Sequence, residues 1–503
     1  MDWLIERAVQ TPNNVALEFN DQTWAYSALN DWAESIAAQL ESQKINHGAR
    51  VGIHLSNQPF YVALIHALAR IGAVAVPLNL RLMESELKWQ VEQSQCDLLI
   101  SESVIDSLSK RILHPDHFST LEHFPARTHP PLAPDSVQGI FFTSGTTGFP
   151  KGVILTFENY HVNAIASAER LGVDPHERWL LTMPLFHIGG MTIIFRSAIY
   201  GTQIVLHSGF DVDKVHHALT EENITIVSLV PTMLHRLLEK YPNFKPSSSL
   251  RAILLGGSGA PENLIKKSLD LNLPIALTYG LTEATSQVAT STPEQTRAKP
   301  GSVGKALQGT TVKIVDEKNQ PLPANQVGEI VVSGKTVMQG YLTRHCEEGA
   351  LPDEAIPKRQ ERLLRTNALA MTEHGILHTG DIGHLDDDGD LWVHTRRTDL
   401  IVSGGENIYP EEIERALTNH PAVSEACVVG LADPAWGQSV AAAVVTREAV
   451  SEESLTRFLR GQIAGYKIPK QILFVESLPH TASGKLMRAK VASIYFSKTK
   501  IDQ

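Results

Sequence analysis

Three cysteines in 503 residues, Cys96, Cys346 and Cys427, are too few and too scattered for a disulfide framework or a thiolate metal site. That scarcity fits a reducing compartment, and the cytoplasm is the expected location. An excess of basic charge is also missing. Lys and Arg number 44 against 55 Asp and Glu, a net charge of -11, which argues against general nucleic-acid binding and against stable association with an anionic membrane. A locally basic cleft on an acidic chain can still take an anionic ligand. Long apolar runs are absent: the most apolar stretch, Tyr61 to Leu78, is broken by His66 and Arg70 and carries Pro77. It reads as a buried helix–strand pair rather than a membrane span. Met1-Asp2-Trp3-Leu4-Ile5-Glu6 has neither the basic start nor the apolar run of a signal peptide. There is no low-complexity tract and no fixed-period repeat. Oligomeric state stays open, a homo-oligomer included.

What is present is the composition of a globular enzyme, 43% hydrophobic and 20% charged. The length exceeds what one hydrophobic core usually holds, so two or more domains are expected. Short β-branched runs alternate with helical patterns: a strand over Arg50 to Leu55, a helix over Tyr61 to Ile71 and a strand over Ala73 to Pro77. The pattern returns at Gln203 to Leu206, Val212 to Glu221 and Ile224 to Val230, and again at Arg251 to Leu255, Glu262 to Asp270 and Pro274 to Thr278. Such alternation predicts layered α/β structure with largely parallel sheets. From about Gly301 the texture changes to strands and turns (Thr311 to Val315, then Glu329 to Ser333), which suits a small barrel or antiparallel sheet. Cys346 to Thr372 reads as a charged surface insertion or lid, and Asp386-Asp387-Asp388-Gly389 as a hairpin turn. A compact strand–turn–helix–strand stretch follows Arg396-Arg397-Thr398. The expectation is a multi-domain α/β protein: a large N-terminal domain over residues 1–397 with a small β-barrel, and a small mobile α+β domain over residues 398–503.

The strongest local signal is Thr143-Ser144-Gly145-Thr146-Thr147-Gly148-Phe149-Pro150-Lys151-Gly152, after the apolar strand Gly139 to Phe142. Three glycines free the backbone to turn and present N–H groups, four hydroxyls add donors, and Lys151 adds a cation, so the loop can cradle a polyphosphate. It is not a Walker A loop, because Pro150-Lys151-Gly152 stands where Gly-Lys-Ser/Thr is required. By itself such a loop can also be a flexible surface segment.

With Tyr279-Gly280-Leu281-Thr282-Glu283, Thr379-Gly380-Asp381, Arg396 to Pro410 and Ala482-Ser483-Gly484-Lys485, the loop forms an ordered series. In these motifs, and in Thr11-Pro12 and Tyr26-Ser27-Ala28-Leu29, the chain resembles the superfamily of acyl- and aryl-CoA synthetases, adenylation domains and luciferase. The resemblance covers nearly the whole chain. It implies an acid carboxylate attacking the α-phosphate of ATP, expulsion of pyrophosphate, and then attack on the acyl-adenylate by the thiol of coenzyme A. It implies that Thr143, Ser144, Gly145, Thr146, Thr147, Gly148 and Lys151 hold the β- and γ-phosphates and that Glu283 ligates Mg²⁺. Thr282 would touch the α-phosphate, Tyr279 would stack on adenine, and Gly256, Gly257 and Ser258 would line that pocket. Asp381 would take the ribose hydroxyls with Arg396 nearby, and Lys485 would bridge the reacting carboxylate and the α-phosphate. Taken singly, Glu283 could cap a helix, Tyr279 could be core, Asp381 could close a turn and Lys485 could be a solvated loop lysine. The superfamily separates its two steps by rotating the C-terminal domain, here about Arg397-Thr398. That rotation withdraws Lys485 and brings Gly404 and Gly405 to a thiol tunnel. Thr395 stands where a glycine commonly precedes the ribose-contacting arginine.

For the acid, Pro184 to Gly201 lacks the aspartate by which amino-acid-activating relatives bind an amine. That run, with Ser228 to Leu234, Leu254 to Gly257 and Thr285-Ser286-Gln287, is similar to the 2-succinylbenzoate–CoA ligases of menaquinone biosynthesis. Such a substrate needs an apolar slot with a cationic or donor group at its far end, and His187, Arg196, Ser258 and Gln287 are the candidates. His187 can equally be a gating or packing residue, and for Arg196 an ordinary ion pair is the stronger expectation. A medium-chain or aryl acid–CoA ligase and a non-catalytic adenylate-binding protein are the competing readings.

Overall fold

A computed structural model describes residues 2–103, 105, 108, 111–118, 129, 133–143, 150–342, 375–395, 400–479 and 486–496. Two large sheets carry most of the chain. One has seven strands in the order Gly340–Tyr341, Lys151–Thr156, Val137–Thr143, Val74–Pro77, Arg50–His54, Leu98–Ser101 and Ile112–Leu113. The other has eight, in the order Ser286–Thr290, Ile275–Leu281, Ala252–Leu255, Ile226–Leu229, Arg178–Leu181, Gln203–Leu206, Val15–Phe19 and Gln22–Ala25. Their central strands pair in parallel, as the βαβ alternation predicts, while pairs toward one end of the seven-stranded sheet and at both ends of the eight-stranded one are antiparallel.

The predicted helix over Tyr61 to Ile71 begins two residues earlier, at Pro59, because Pro at the first helical position has no N–H to satisfy. It stops at Gly72, whose φ of 69° is left-handed. All but its first residue are buried, so it lies within the core shared by the two large sheets. The two polar residues that break its apolar run are accommodated inside. Arg70 pairs with Asp2 at 2.8 Å and Glu34 at 2.9 Å, while burial lowers the pKa of His66 to about 4 and keeps it neutral.

After Gly301 the chain forms a four-stranded antiparallel sheet, Thr310–Val315, Gly328–Gly334, Ile376–Leu385 and Leu391–Thr395. Its two outer strands do not pair with each other among the described residues, so of the two forms the sequence suggested, a small barrel or an antiparallel sheet, these residues form the antiparallel sheet. The predicted hairpin turn is closed by Asp386 N–H donating to the Asp390 carbonyl at 3.0 Å, and Lys299 Nζ reaches Asp386, Asp388 and Asp390 at 2.6–2.7 Å. Residues 400–479 build their own sheet around the antiparallel pair Val423–Asp433 and Gly437–Thr446, with a separate apolar core. The expected boundary at 397/398 and the expected insertion at 346–372 lie outside the described residues. Among the described residues no helix is long and apolar enough to cross a membrane.

Candidate active site

A cavity of about 230 Å³ opens between the two large sheets, the four-stranded sheet and the C-terminal unit. Three local structures aim side chains at it. The strand Ile275–Leu281 ends in the turn Thr282–Ala284, and Thr285 and Ser286 then take positive φ values of 55° and 86° that reverse the chain. The reversal presses the strand so closely on its neighbour that a Cβ on Gly280 would lie 1.6 Å from the Ser286 carbonyl oxygen. Glycine in this motif is therefore a steric requirement. Thr282, Glu283, Ser286 and Gln287 all line the cavity from this corner.

The second structure is the Thr379-Gly380-Asp381 bend of the strand Ile376–Leu385. The Thr379 hydroxyl donates to the Ile330 carbonyl at 2.6 Å and accepts from Asp381 N–H at 3.1 Å. Glu329, on the paired strand, accepts from Gly380 N–H at 3.0 Å and lies 3.2 Å from His378 Nδ1. Asp381 thereby points at the cavity, where the Tyr279 hydroxyl donates to it at 2.6 Å. Tyr279 is itself buried and outside the cavity lining. Its clearest role here is to orient Asp381, a role for which the sequence carried no signal.

The third structure is the helix Ile188–Tyr200, which starts after His187 and ends at Gly201. The Tyr26 hydroxyl pins its far end, shared between the Ser197 carbonyl at 2.8 Å and the Thr202 carbonyl at 2.6 Å. On this helix Arg196 is buried yet lines the cavity. Its Nη2 donates to Asn163 Oδ1 at 2.6 Å and to Gln287 Oε1 at 2.9 Å. The ion-pair reading does not hold among the described residues, because no carboxylate lies within reach of the guanidinium. Arg196 Nε and Gln287 Nε2 are buried without a hydrogen-bond partner among those residues. Burial pulls the Arg196 pKa below its usual value. A buried guanidinium beside a cavity, with its Nε unpaired among the described residues, can receive an anion.

Glu283 is desolvated, and burial raises its carboxyl above the usual range despite the Tyr341 hydroxyl donating at 3.0 Å. Lys151 Nζ lies 5.0 Å over the same Tyr341 ring. An oxygen-preferring divalent cation would offset the desolvation cost of this carboxylate, so the residue fits Mg²⁺.

Thr143, Gly256, Gly257, His187 and Gly405 also line the cavity, whereas Lys151, Ser258 and Gly404 do not. Gly404 and Gly405 have φ values of 61° and 88°. A Cβ on Gly404 would stand 2.7 Å from the Trp436 ring, while one on Gly405 would meet only Val230 at ordinary contact distance. Glycine is demanded at both positions by the left-handed backbone, and by crowding at Gly404 alone. Ser144, Gly145, Thr146, Thr147, Gly148, Arg396 and Lys485, with the Arg397-Thr398 hinge, lie outside the described residues.

Sequence reasoning missed the interface. Glu406 is buried between the C-terminal unit and the rest, 3.4 Å from His187 Nε2, 3.2 Å from Arg81 Nη1 and 3.4 Å from Asn79 Nδ2. Burial raises its carboxyl, but His187, Arg81 and Lys467 outweigh that and hold it below the usual range. Asn163 and Tyr341 were missed as well. No local pattern marks such residues, because their partners are distant in sequence.

The AMP-binding enzyme family matches residues 4–342, and the AMP-binding enzyme C-terminal domain matches residues 412–485. The chain is 37% identical over 500 residues to the 2-succinylbenzoate–CoA ligase of Bacillus cytotoxicus, covering 99% of each chain. It is 39% identical to that of Bacillus licheniformis over 97% of this chain and 99% of the other. Its structure is similar to o-succinylbenzoate CoA synthetase of Bacillus subtilis, a double mutant bound with a product analogue, with a TM-score of 0.88, 36% identity and 98% coverage of both chains. Against the same Bacillus subtilis enzyme in complex with its acyl-adenylate intermediate, the TM-score is 0.71 with 97% coverage of both. On the match across residues 4–342 and full-length relatives above 30% identity, the chain belongs to the AMP-binding enzyme family.

Proposed function

We propose that the chain is an ATP-dependent 2-succinylbenzoate–CoA ligase, which forms the acyl-adenylate and then the CoA thioester with release of AMP and diphosphate, a reaction of menaquinone (vitamin K2) biosynthesis. The observation that carries the choice of acid is Arg196: a buried guanidinium, without a carboxylate partner among the described residues, facing the cavity next to Gln287 and Asn163. A dicarboxylic acid can leave one carboxylate there while the other reacts. Full-length relatives carrying that activity in their names support the same reading.

In the first step a carboxylate oxygen of the acid bonds to the α-phosphorus and the bond to pyrophosphate breaks. Thr143, Lys151 and the loop between them would hold the outgoing phosphates, and Thr282 the α-phosphate. Glu283 would hold Mg²⁺, which when bound neutralises phosphate charge. Asp381, oriented by Tyr279, would take the ribose, and Lys485 would bridge the two reacting groups. In the second step the CoA sulfur bonds to the acyl carbon, the bond to AMP breaks and the thiol proton leaves to solvent. Gly405, Asn407 and Tyr409 belong to the C-terminal unit and line the cavity. With the higher TM-score to the product-analogue complex than to the acyl-adenylate complex, this supports an arrangement suited to the second step. We take the division at 397/398 as the boundary between the two moving units. ATP and CoA as substrates suit a cytoplasmic enzyme without stable membrane association.

AMP release across a panel of acids with CoA tests the assignment. Turnover is expected with 2-succinylbenzoate and not with benzoate or medium-chain fatty acids; the reverse outcome selects the broader aryl or medium-chain ligase. Tyr279→Phe, which removes the donor to Asp381, is expected to raise KM for ATP about three- to tenfold with kcat little changed, the effect of one lost hydrogen bond. Steady-state kinetics with ATP varied reads this directly. A fall in kcat alone would place Tyr279 elsewhere in the mechanism.

A further inference from the structure

Among the described residues, beyond the contacts of Glu406, one ion pair joins the C-terminal unit to the rest of the chain in a buried setting. Lys467 closes the short turn Gly465–Lys467 and is 3% exposed. Its ammonium donates to Glu412 Oε1 at 2.7 Å within its own unit and to Glu86 Oε1 at 2.5 Å across the interface. Glu86 lies in the first turn of the helix Glu84–Gln93, which packs beside the seven-stranded sheet. Its other oxygen accepts the Met83 N–H at 2.8 Å and caps that helix. One carboxylate therefore fixes a helix start with one oxygen and grips the other unit with the second.

Glu86 and Lys467 sit on separately cored units, so a rigid rotation of one against the other breaks a contact of this length. A charge-assisted bond made in one arrangement and absent from another shifts the population between them by its full differential free energy. Lys467 keeps Glu412 in either arrangement, so release of Glu86 leaves no bare buried ammonium. Exchange between arrangements is thereby possible without the penalty of an uncompensated buried charge.

We propose that the Glu86–Lys467 pair is an orientation-specific latch that holds the C-terminal unit in the arrangement used for thioester formation, which makes Glu86 a positioning residue for the second half-reaction. This rests on the two-step reading above. Nothing in the chemistry of either step needs Glu86 to touch a substrate.

Glu86→Gln separates the latch from the cap, because the amide oxygen can still accept the Met83 N–H while the charge that draws Lys467 is gone. The first half-reaction is read as ATP–pyrophosphate exchange with 2-succinylbenzoate. The second is read as single-turnover conversion of pre-made acyl-adenylate to thioester at subsaturating CoA. Exchange is expected to stay at the wild-type rate or rise, while thioester formation slows about tenfold, the scale of one charge-assisted hydrogen bond. Glu86→Lys, which sets two ammonium groups against each other, is expected to slow thioester formation further and still spare exchange. A parallel fall in both half-reactions, or no change in thioester formation for either variant, would overturn the latch. If the wild type shows no exchange with 2-succinylbenzoate, the acid assignment fails, and the same two measurements are made with the acid that the panel selects.

Discussion

Lys485→Ala is expected to abolish acyl-adenylate formation while sparing thioester formation from pre-made acyl-adenylate. Two anions, the acid carboxylate and the α-phosphate, must approach each other, and charge builds on the phosphoryl oxygens as the new bond forms. A preorganised ammonium bridging both is worth most at that moment, and loss of one such donor typically slows the step by about 10²- to 10³-fold. The second step joins a thiol to an already activated acyl group and needs no such bridge. The residues of the C-terminal unit that line the cavity, Leu400, Gly405, Asn407 and Tyr409, belong to another stretch of the chain from Lys485. ATP–pyrophosphate exchange and single-turnover thioester formation, measured side by side, check the assignment. Equal loss of both half-reactions would sink it, and so would preserved exchange.

This variant and Glu86→Gln are predicted to fail in opposite halves of the reaction. Lys485→Ala removes chemistry from the adenylation arrangement, whereas Glu86→Gln weakens the arrangement for thioester formation. A protein merely destabilised by substitution would lose both halves together, so the pair of results distinguishes a rotating two-unit enzyme from a fragile one.

Much of this was legible in the chain because the determinants are local. Gly280 stands within a motif of adjacent residues, and its reason, a backbone oxygen of Ser286 where a Cβ would be, lies only six positions further along the chain. The parallel core was legible from β-branched runs alternating with helical periods. The helix Pro59–Ile71 could be placed because its apolar run is too long for a strand and too interrupted for a membrane. What escaped was set by distance along the chain. Tyr279 meets Asp381 across 102 positions, and Lys467 meets Glu86 across 381. Neither pair has a periodicity or spacing that sequence reading can use, since the fold alone brings the partners together. The two readings of Arg196 diverged for the same reason: helical spacing places a residue on a face, but not what that face meets.

Arg196→Met is expected to lower kcat/KM for 2-succinylbenzoate by about 100-fold, which corresponds to about 2.7 kcal/mol at 1.36 kcal/mol per factor of ten. Methionine keeps a long flexible stem in the space behind the cavity but presents no donor. The unreacted carboxylate would then enter a buried pocket without its cation, and a buried anion lacking a partner is costly. Gln287 Oε1 and Asn163 Oδ1, which now accept from Arg196 at 2.9 and 2.6 Å, would also lose that donor, so some loss of stability should accompany the kinetic effect. The discriminating measurement uses a second acid, an analogue lacking the carboxylate that remains unreacted. A site built to pair with a polar group rejects a substrate without it, because its own buried groups are left unmatched. The wild type should therefore prefer the dicarboxylate strongly, and Arg196→Met should accept both acids nearly alike, with KM for ATP unchanged. Equal losses for the two acids would make Arg196 a structural residue of its helix and move the second carboxylate to another part of the cavity. A selective loss for the dicarboxylate would tie the acid specificity of the enzyme to one guanidinium held by two amide side chains.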